Sequence, residues 1–147
     1  MTEPREAWAA YRALQLTVDA AVARDLERDS RLSMADFEVL AAVVAVAGEE
    51  QCVRVGRLAD GMGWAHSRLS RQLGRMDRRG LIAREACDLD GRGDDILLTD
   101  TGRQAYEAAA PAFWRSVRRH FSDLLTPRQL AALTEISRIV AAHPPRG

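Results

Sequence analysis

From Glu6 to Arg28, apolar side chains recur at steps of three and four through Trp8, Tyr11, Leu14, Val18, Val22 and Leu26. That period predicts an amphipathic helix. Ser33 opens a second helix from an N-cap position, with Asp36 three residues on as a short-armed capping box. Phe37, Leu40, Ala41 and Val44 supply its apolar face and Gly48 ends it. Val55–Gly63 reads as a short helix closing on a glycine turn. A longer helix runs from about Ala65 to Arg79 and stops at Gly80, because glycine accepts positive φ just past a helix end. Two strands follow, Leu81–Cys87 and Asp95–Thr99, around the glycine- and aspartate-rich turn Asp88–Asp94; this is a hairpin pattern. Thr99 caps a helix over Asp100–Asp123, with Ala105, Ala109, Ala112, Val117 and Phe121 near one face. Thr126-Pro127-Arg128-Gln129 puts threonine at N-cap, proline at N1 and glutamine at N3 of a last helix. Leu130, Leu133, Ile136, Ile139 and Val140 form its apolar face, and His143-Pro144-Pro145 ends it. The fold expected is mostly α with a small β-hairpin.

Composition narrows the class. With 147 residues, 47% of them hydrophobic and 29% charged, the chain has material for one ordinary globular core. No apolar run approaches the ~20 residues of a membrane span, and Met1–Ala10 shows no signal-peptide pattern, so a cytoplasmic protein is expected. The 21 basic and 21 acidic residues cancel, which at first argues against a polyanionic partner. Their distribution reverses that. Between Trp64 and Arg84 stand six arginines (Arg68, Arg71, Arg75, Arg78, Arg79 and Arg84) against one acid, Asp77, and a local basic stripe binds phosphate whatever the charge of the whole. Every basic residue other than histidine is arginine, which reads as coding bias of a GC-rich genome. Cys52 and Cys87 show no C-x-x-C spacing and no His/Cys cluster, so no metal site is expected. A disulfide is not expected in a cytosolic chain either.

The centre of the chain carries the functional signal. Ala59, Gly63 and Leu69 stand at offsets of zero, four and ten, the spacing of a helix-turn-helix. A small residue lets the two helices cross closely, the glycine makes the turn, and the leucine packs the second helix onto the first. Leu58, Met62, Leu73 and Met76 complete the apolar side. His66, Ser67, Arg68, Ser70, Arg71 and Arg75 are left outward or at the helix entrance, where such side chains contact phosphates and base edges in a major groove. The hairpin after it reads as a wing, with Arg92 near its tip and within reach of an adjacent minor groove.

The stretch R-L-S-R-Q-L-G-R-M-D-R-R-G-L-I-A-R, followed by D-G-R-G-D-D-I-L-L-T-D-T-G-R, resembles the MarR family (multiple antibiotic resistance regulators). The matching features are Arg78-Arg79-Gly80-Leu81-Ile82 after the recognition helix, Asp90-Gly91-Arg92 in the wing, and Leu98-Thr99-Asp100-Thr101-Gly102 beyond it. The resemblance implies one MarR-like domain over residues 1–147. Residues 33–99 would form a winged helix-turn-helix lobe that binds double-stranded DNA. Residues 5–28 and 100–142 would supply dimerisation helices, with Trp8 and Trp114 packing the homodimer interface. Arg71 and Arg75 would match the family's recognition-helix arginines and Arg92 its wing arginine. Gly91 stands where many members carry a second wing arginine, and Asp94 and Asp95 follow, so a weaker wing grip is expected. Family members often bind small aromatic or anionic effectors; Tyr11, Gln15 and Phe37 are the candidates to line such a cleft, although each also suits a plain core.

Other functions find less support in the sequence. His66, His120 and His143 are widely spaced, and no nucleophile–base pair, paired carboxylates or phosphate loop appears, so no catalytic residue and no cofactor is assigned. A thiol-based redox sensor of the same fold would use Cys52 or Cys87. Core packing is the default for both cysteines, and Glu85 and Asp88 disfavour a Cys87 thiolate. A protein-binding winged helix that ignores DNA is the remaining alternative, and the arginine stripe speaks against it.

Overall fold

The structure, a computed structural model, describes residues 2–47, 52–85 and 95–144. The order is α1 (Pro4–Ser30), α2 (Met34–Ala47), β1 (Cys52–Arg54), α3 (Val55–Met62), α4 (His66–Arg78), β2 (Ile82–Arg84), β3 (Asp95–Leu98), α5 (Asp100–His120) and α6 (Pro127–Ala141). A single 3₁₀ turn, Ser122–Leu124, precedes α6. Two units divide the chain: residues 1–22 with 113–147, and residues 23–112. The helices α1 and α5 therefore contribute to both.

In the 23–112 unit, α2, α3 and α4 surround a core of Leu40, Val43, Leu58, Ala59, Leu69, Leu73, Met76, Ile82 and Ile96, all nearly inaccessible to water. The expected hairpin strands are present, and β2 pairs antiparallel with β3, Ile82 opposite Leu98 and Arg84 opposite Ile96. A third strand was not anticipated. β1 pairs with the other edge of β3, Val53 opposite Ile96, which gives the order β1-β3-β2. Three residues are too few for an alternating pattern to register; the pairing partner, remote in sequence, makes this segment a strand. Asp95, read as part of an acidic pair beside the wing, is instead buried at the start of β3, 3.9 Å from Arg54. The expected first strand runs to Arg84; Cys87 and the turn with Gly91, Arg92 and Asp94 lie outside the described residues.

Local chemistry fixes the element ends. The Ser33 hydroxyl accepts from the Asp36 N–H while the Asp36 carboxylate accepts from the Ser33 N–H, a reciprocal cap. Gly63 and Gly80 adopt φ of 67° and 74°. At Gly80 the Leu81 N–H reaches the Met76 carbonyl and the Gly80 N–H reaches Asp77, so the last carbonyls of α4 are satisfied as the chain turns into β2. The Thr126 side chain and Gln129 form a full capping box on α6. The expected helix over 100–123 stops at His120, because Phe121 leaves helical geometry at φ −140°, ψ −76°.

The Leu-Thr-x-x-Gly motif has a steric explanation. The Thr99 hydroxyl accepts from the Gly102 N–H and shares its one proton between the carbonyls of Gly80 and Leu81. This ties the start of α5 onto the exit of α4. A Cβ at Gly102 would overlap the Leu81 carbonyl. Glycine to alanine inside a helix ordinarily stabilises by about 1 kcal/mol. Here Gly102→Ala should instead destabilise by about 2–3 kcal/mol through overpacking, seen as a lower urea midpoint with unchanged slope.

Candidate nucleic-acid interface

The helix α4 is two-sided. Leu69, Gln72, Leu73 and Met76 are buried, while His66, Ser67, Arg68, Arg71 and Arg75 are exposed. Positions 69, 72, 73 and 76 follow the i, i+3, i+4, i+7 pattern of a packed helix face, so the arginines at 68, 71 and 75 are turned to solvent.

The three arginines are held differently. The Arg68 guanidinium carbon lies 3.7 Å from the centroid of the Trp64 ring, a cation–π stack that orients the planar group. Among the described residues Arg71 makes no hydrogen bond or ion pair. Arg75 donates to the Gln72 Oε1 at 2.6 Å. Ser70, expected among the DNA contacts, is half-buried. Its carbonyl and hydroxyl both accept from the Arg84 guanidinium, at 2.8 and 3.2 Å, so it braces α4 against β2. His66 Nε2 and Asp60 Oδ1 stand 3.5 Å apart with both side chains exposed, a screened pair of little weight. Arg92 lies outside the described residues.

Behind this face lies a polar cluster centred on Asp36. Asp36 is 4% exposed. Its Oδ1 accepts from Gln72 Nε2 at 2.7 Å; its Oδ2 accepts from Arg79 Nη1 at 2.6 Å and from the Ser33 N–H at 2.9 Å. The Arg79 guanidinium also reaches the Arg31 carbonyl at 3.3 Å. Burial is the largest influence on this carboxyl and pushes its pKa up, but the Arg79 and Ser33 hydrogen bonds and the Arg79 charge together outweigh it, leaving the pKa below the ordinary 3.8. The signal was present: Gln72 sits on the Leu69–Leu73–Met76 stripe, where a polar residue must find a partner.

The effector candidates divide. Tyr11 and Gln15 line an apolar cleft of about 220 Å³ with Leu14, Val18, Asp19, Phe121 and Leu133, all in the unit of residues 1–22 and 113–147. Phe37 does not line it. It belongs to the core of the other unit, 3% exposed and stacked on Tyr106 at 5.4 Å. The cysteine expectation is overturned: Cys52, half-buried on β1, is disulfide-bonded. Connectivity of this kind cannot be deduced from spacing alone. Among the described residues no group of His, Cys, Asp or Glu could hold a metal ion, and no helix is long and apolar enough to cross a membrane.

A sequence model of the MarR family matches residues 32–93. Among curated proteins no sequence match is found. AbsC, a MarR family transcriptional regulator from Streptomyces coelicolor, is 33% identical over 97% of this chain and 96% of its own, with a TM-score of 0.84. The chain belongs to the MarR family of transcriptional regulators. Sco3205, a MarR family transcriptional regulator from the same organism solved in complex with DNA, is 30% identical, covering 98% of this chain and 91% of its own at a TM-score of 0.86. A mutant MarR from E. coli complexed with operator DNA shares the fold at 20% identity, over 90% of this chain and 91% of its own, with a TM-score of 0.79. Membership in this family makes the chain a transcription regulator and not an enzyme.

For this MarR regulator the Asp36 cluster predicts an acid response. A carboxyl whose folded pKa is depressed contributes stability above its unfolded value and loses that contribution as pH falls through the folded one. Unfolding free energy should therefore drop below about pH 4. Asp36→Asn should cost about 1–3 kcal/mol at neutral pH and flatten that acid limb. Urea titrations at several pH values check both effects; an unchanged slope in the variant would remove Asp36 from the account.

Proposed function

We propose that the protein is a cytoplasmic, homodimeric, ligand-responsive repressor that reads a palindromic operator through α4. The observation that carries the DNA reading is the exposed arginine face of α4, set on a helix whose other side is fully buried. Ser67, Arg68, Arg71 and Arg75 would contact phosphates and base edges, with His66 at the helix entrance. Ser70 would act through its brace to Arg84. Arg92 would contribute charge at the minor groove or flanking phosphates.

The distribution of apolar surface supports the dimer. Trp8, Tyr11, Leu14, Leu16, Trp114, Leu124, Ile136, Ile139 and Val140 are the large exposed apolar residues of the described chain. All belong to the unit of residues 1–22 and 113–147, and monomers rarely expose so much in one place. A small aromatic or anionic effector would enter the Tyr11–Gln15 cleft. At about 220 Å³, below the ~300–1,000 Å³ of most ligand pockets, it suits a single substituted ring. One observation favours a redox-responsive version: Cys52 is disulfide-bonded, and disulfides in the cytosol are mostly transient and redox-sensing. Operator binding with and without dithiothreitol separates the two, since only the redox version changes affinity.

Sedimentation at micromolar concentration should give twice the 16.3 kDa chain mass. Footprinting should show symmetric protection with half-sites about 10 base pairs apart. A 16.3 kDa species or isolated asymmetric half-sites would overturn this reading.

Arg71 and Arg92 should separate in a salt titration with operator and random duplex. Arg71→Ala should lower the ratio of specific to non-specific affinity by about 1–3 kcal/mol per half-site. Arg92→Ala should weaken all sequences alike and reduce the magnitude of the salt slope by about 2 for the dimer. An Arg92→Ala variant with unchanged slope and affinity would remove the wing from the DNA contacts.

A further inference from the structure

We infer that Gln72 is a positioning residue for operator recognition: wedged between Asp36 of α2 and Arg75 of α4, it fixes the Arg75 guanidinium before DNA arrives. The inference rests on the reading of α4 as the DNA-facing helix. Gln72 is 3% exposed and touches a charged group at each end of its amide. Its Nε2 donates to Asp36 Oδ1 at 2.7 Å, and its Oε1 accepts from Arg75 Nη2 at 2.6 Å.

The amide has one workable orientation. An ionised carboxylate only accepts hydrogen bonds and a guanidinium only donates, so flipping the amide would break both contacts at once. Asp36 cannot yield, because Ser33 and Arg79 hold its other oxygen. The chain Asp36–Gln72–Arg75 thus runs from a buried anchor to an exposed cation through hydrogen bonds with a charged partner at each end, the stronger kind. An arginine held this way has already lost much of the rotamer freedom that binding would otherwise remove. Gln72 is three residues from Arg75 on the same helix and buried, so it would reach DNA only through Arg75.

A double-mutant cycle on the full-length protein tests this, with operator affinity as the readout and thermal unfolding of each free variant as the control for folding. Gln72→Met keeps length and volume but removes both hydrogen bonds. It should weaken operator binding about ten-fold, the order expected when one long side chain per protomer must be ordered anew. In an Arg75→Ala background the same change should have no further effect, whereas in an Arg71→Ala background it should keep its full ten-fold. Equal penalties in both backgrounds would mean that Gln72 acts on α4 as a whole, and would overturn the inference. If Arg75→Ala leaves affinity unchanged while Arg71→Ala weakens it, the inference falls and the α4 reading stands. If neither matters, the α4 reading itself falls. Side-chain relaxation of the arginine Nε–H groups in the free wild-type protein gives a check that needs no variant. Arg75 should be more ordered than Arg71, and equal disorder would overturn the proposal.

Discussion

A carboxylate taken out of water is costly unless donors meet its oxygens. In this protein the Asp36 carboxylate meets that demand with three donors: the Ser33 N–H at the start of α2, Gln72 on α4, and Arg79 just past the end of α4. The same side chain therefore caps one helix and fixes the rotation of another. An apolar contact would tolerate α4 sliding or turning by a few degrees. Hydrogen bonds of 2.6 and 2.7 Å from two residues seven apart, two turns along one helix face, do not. Since the arginines at 68, 71 and 75 lie on the face opposite Leu69 and Leu73, the rotation fixed by Asp36 also fixes where the positive charge points.

The sheet and the α5 start extend that constraint. Arg84 on β2 donates to Ser70, and Thr99 shares its one proton between the carbonyls of Gly80 and Leu81. The exit of α4 is thus tied to β2 and to the first turn of α5 within a few residues. A chain of zero net charge can then hold a strongly basic surface, because fold contacts rather than overall composition decide which charges face solvent. Arg79 and Arg84 belong to the same basic run as Arg71, yet both have hydrogen-bond acceptors within the protein.

Much of this was legible in the sequence. Ser33, Thr99 and Thr126 marked helix starts, Gly63 and Gly80 marked ends, and the Ala59–Gly63–Leu69 spacing marked the helix-turn-helix, because each is a local rule acting within a few residues. What escaped was non-local. Cys52–Arg54 becomes a strand only through β3. Ser70 looks like a surface contact until Arg84 reaches it from fourteen residues away. Phe37 could equally have lined a cleft; its stacking on Tyr106 involves a residue that periodicity could not bring near. The Cys52 bond is of the same kind. Gln72 differs, since its place on the buried stripe was visible and only its partner was not.

The three solvent-facing arginines then differ in a property that no charge count records. Stacking on Trp64 restricts Arg68 in plane while leaving its edge donors available, and a planar fork of that kind matches a guanine edge or a phosphate. Arg75 is held from below by Gln72. Arg71, between them, has no such tether among the described residues, and an arginine side chain carries about 2 kcal/mol of rotamer entropy. If α4 reads DNA as proposed, Arg68 and Arg75 would meet it already positioned, and Arg71 would be ordered only on binding. The discrimination expected of Arg71 would then come from the geometry of the base edge it meets, not from a position set beforehand by the fold.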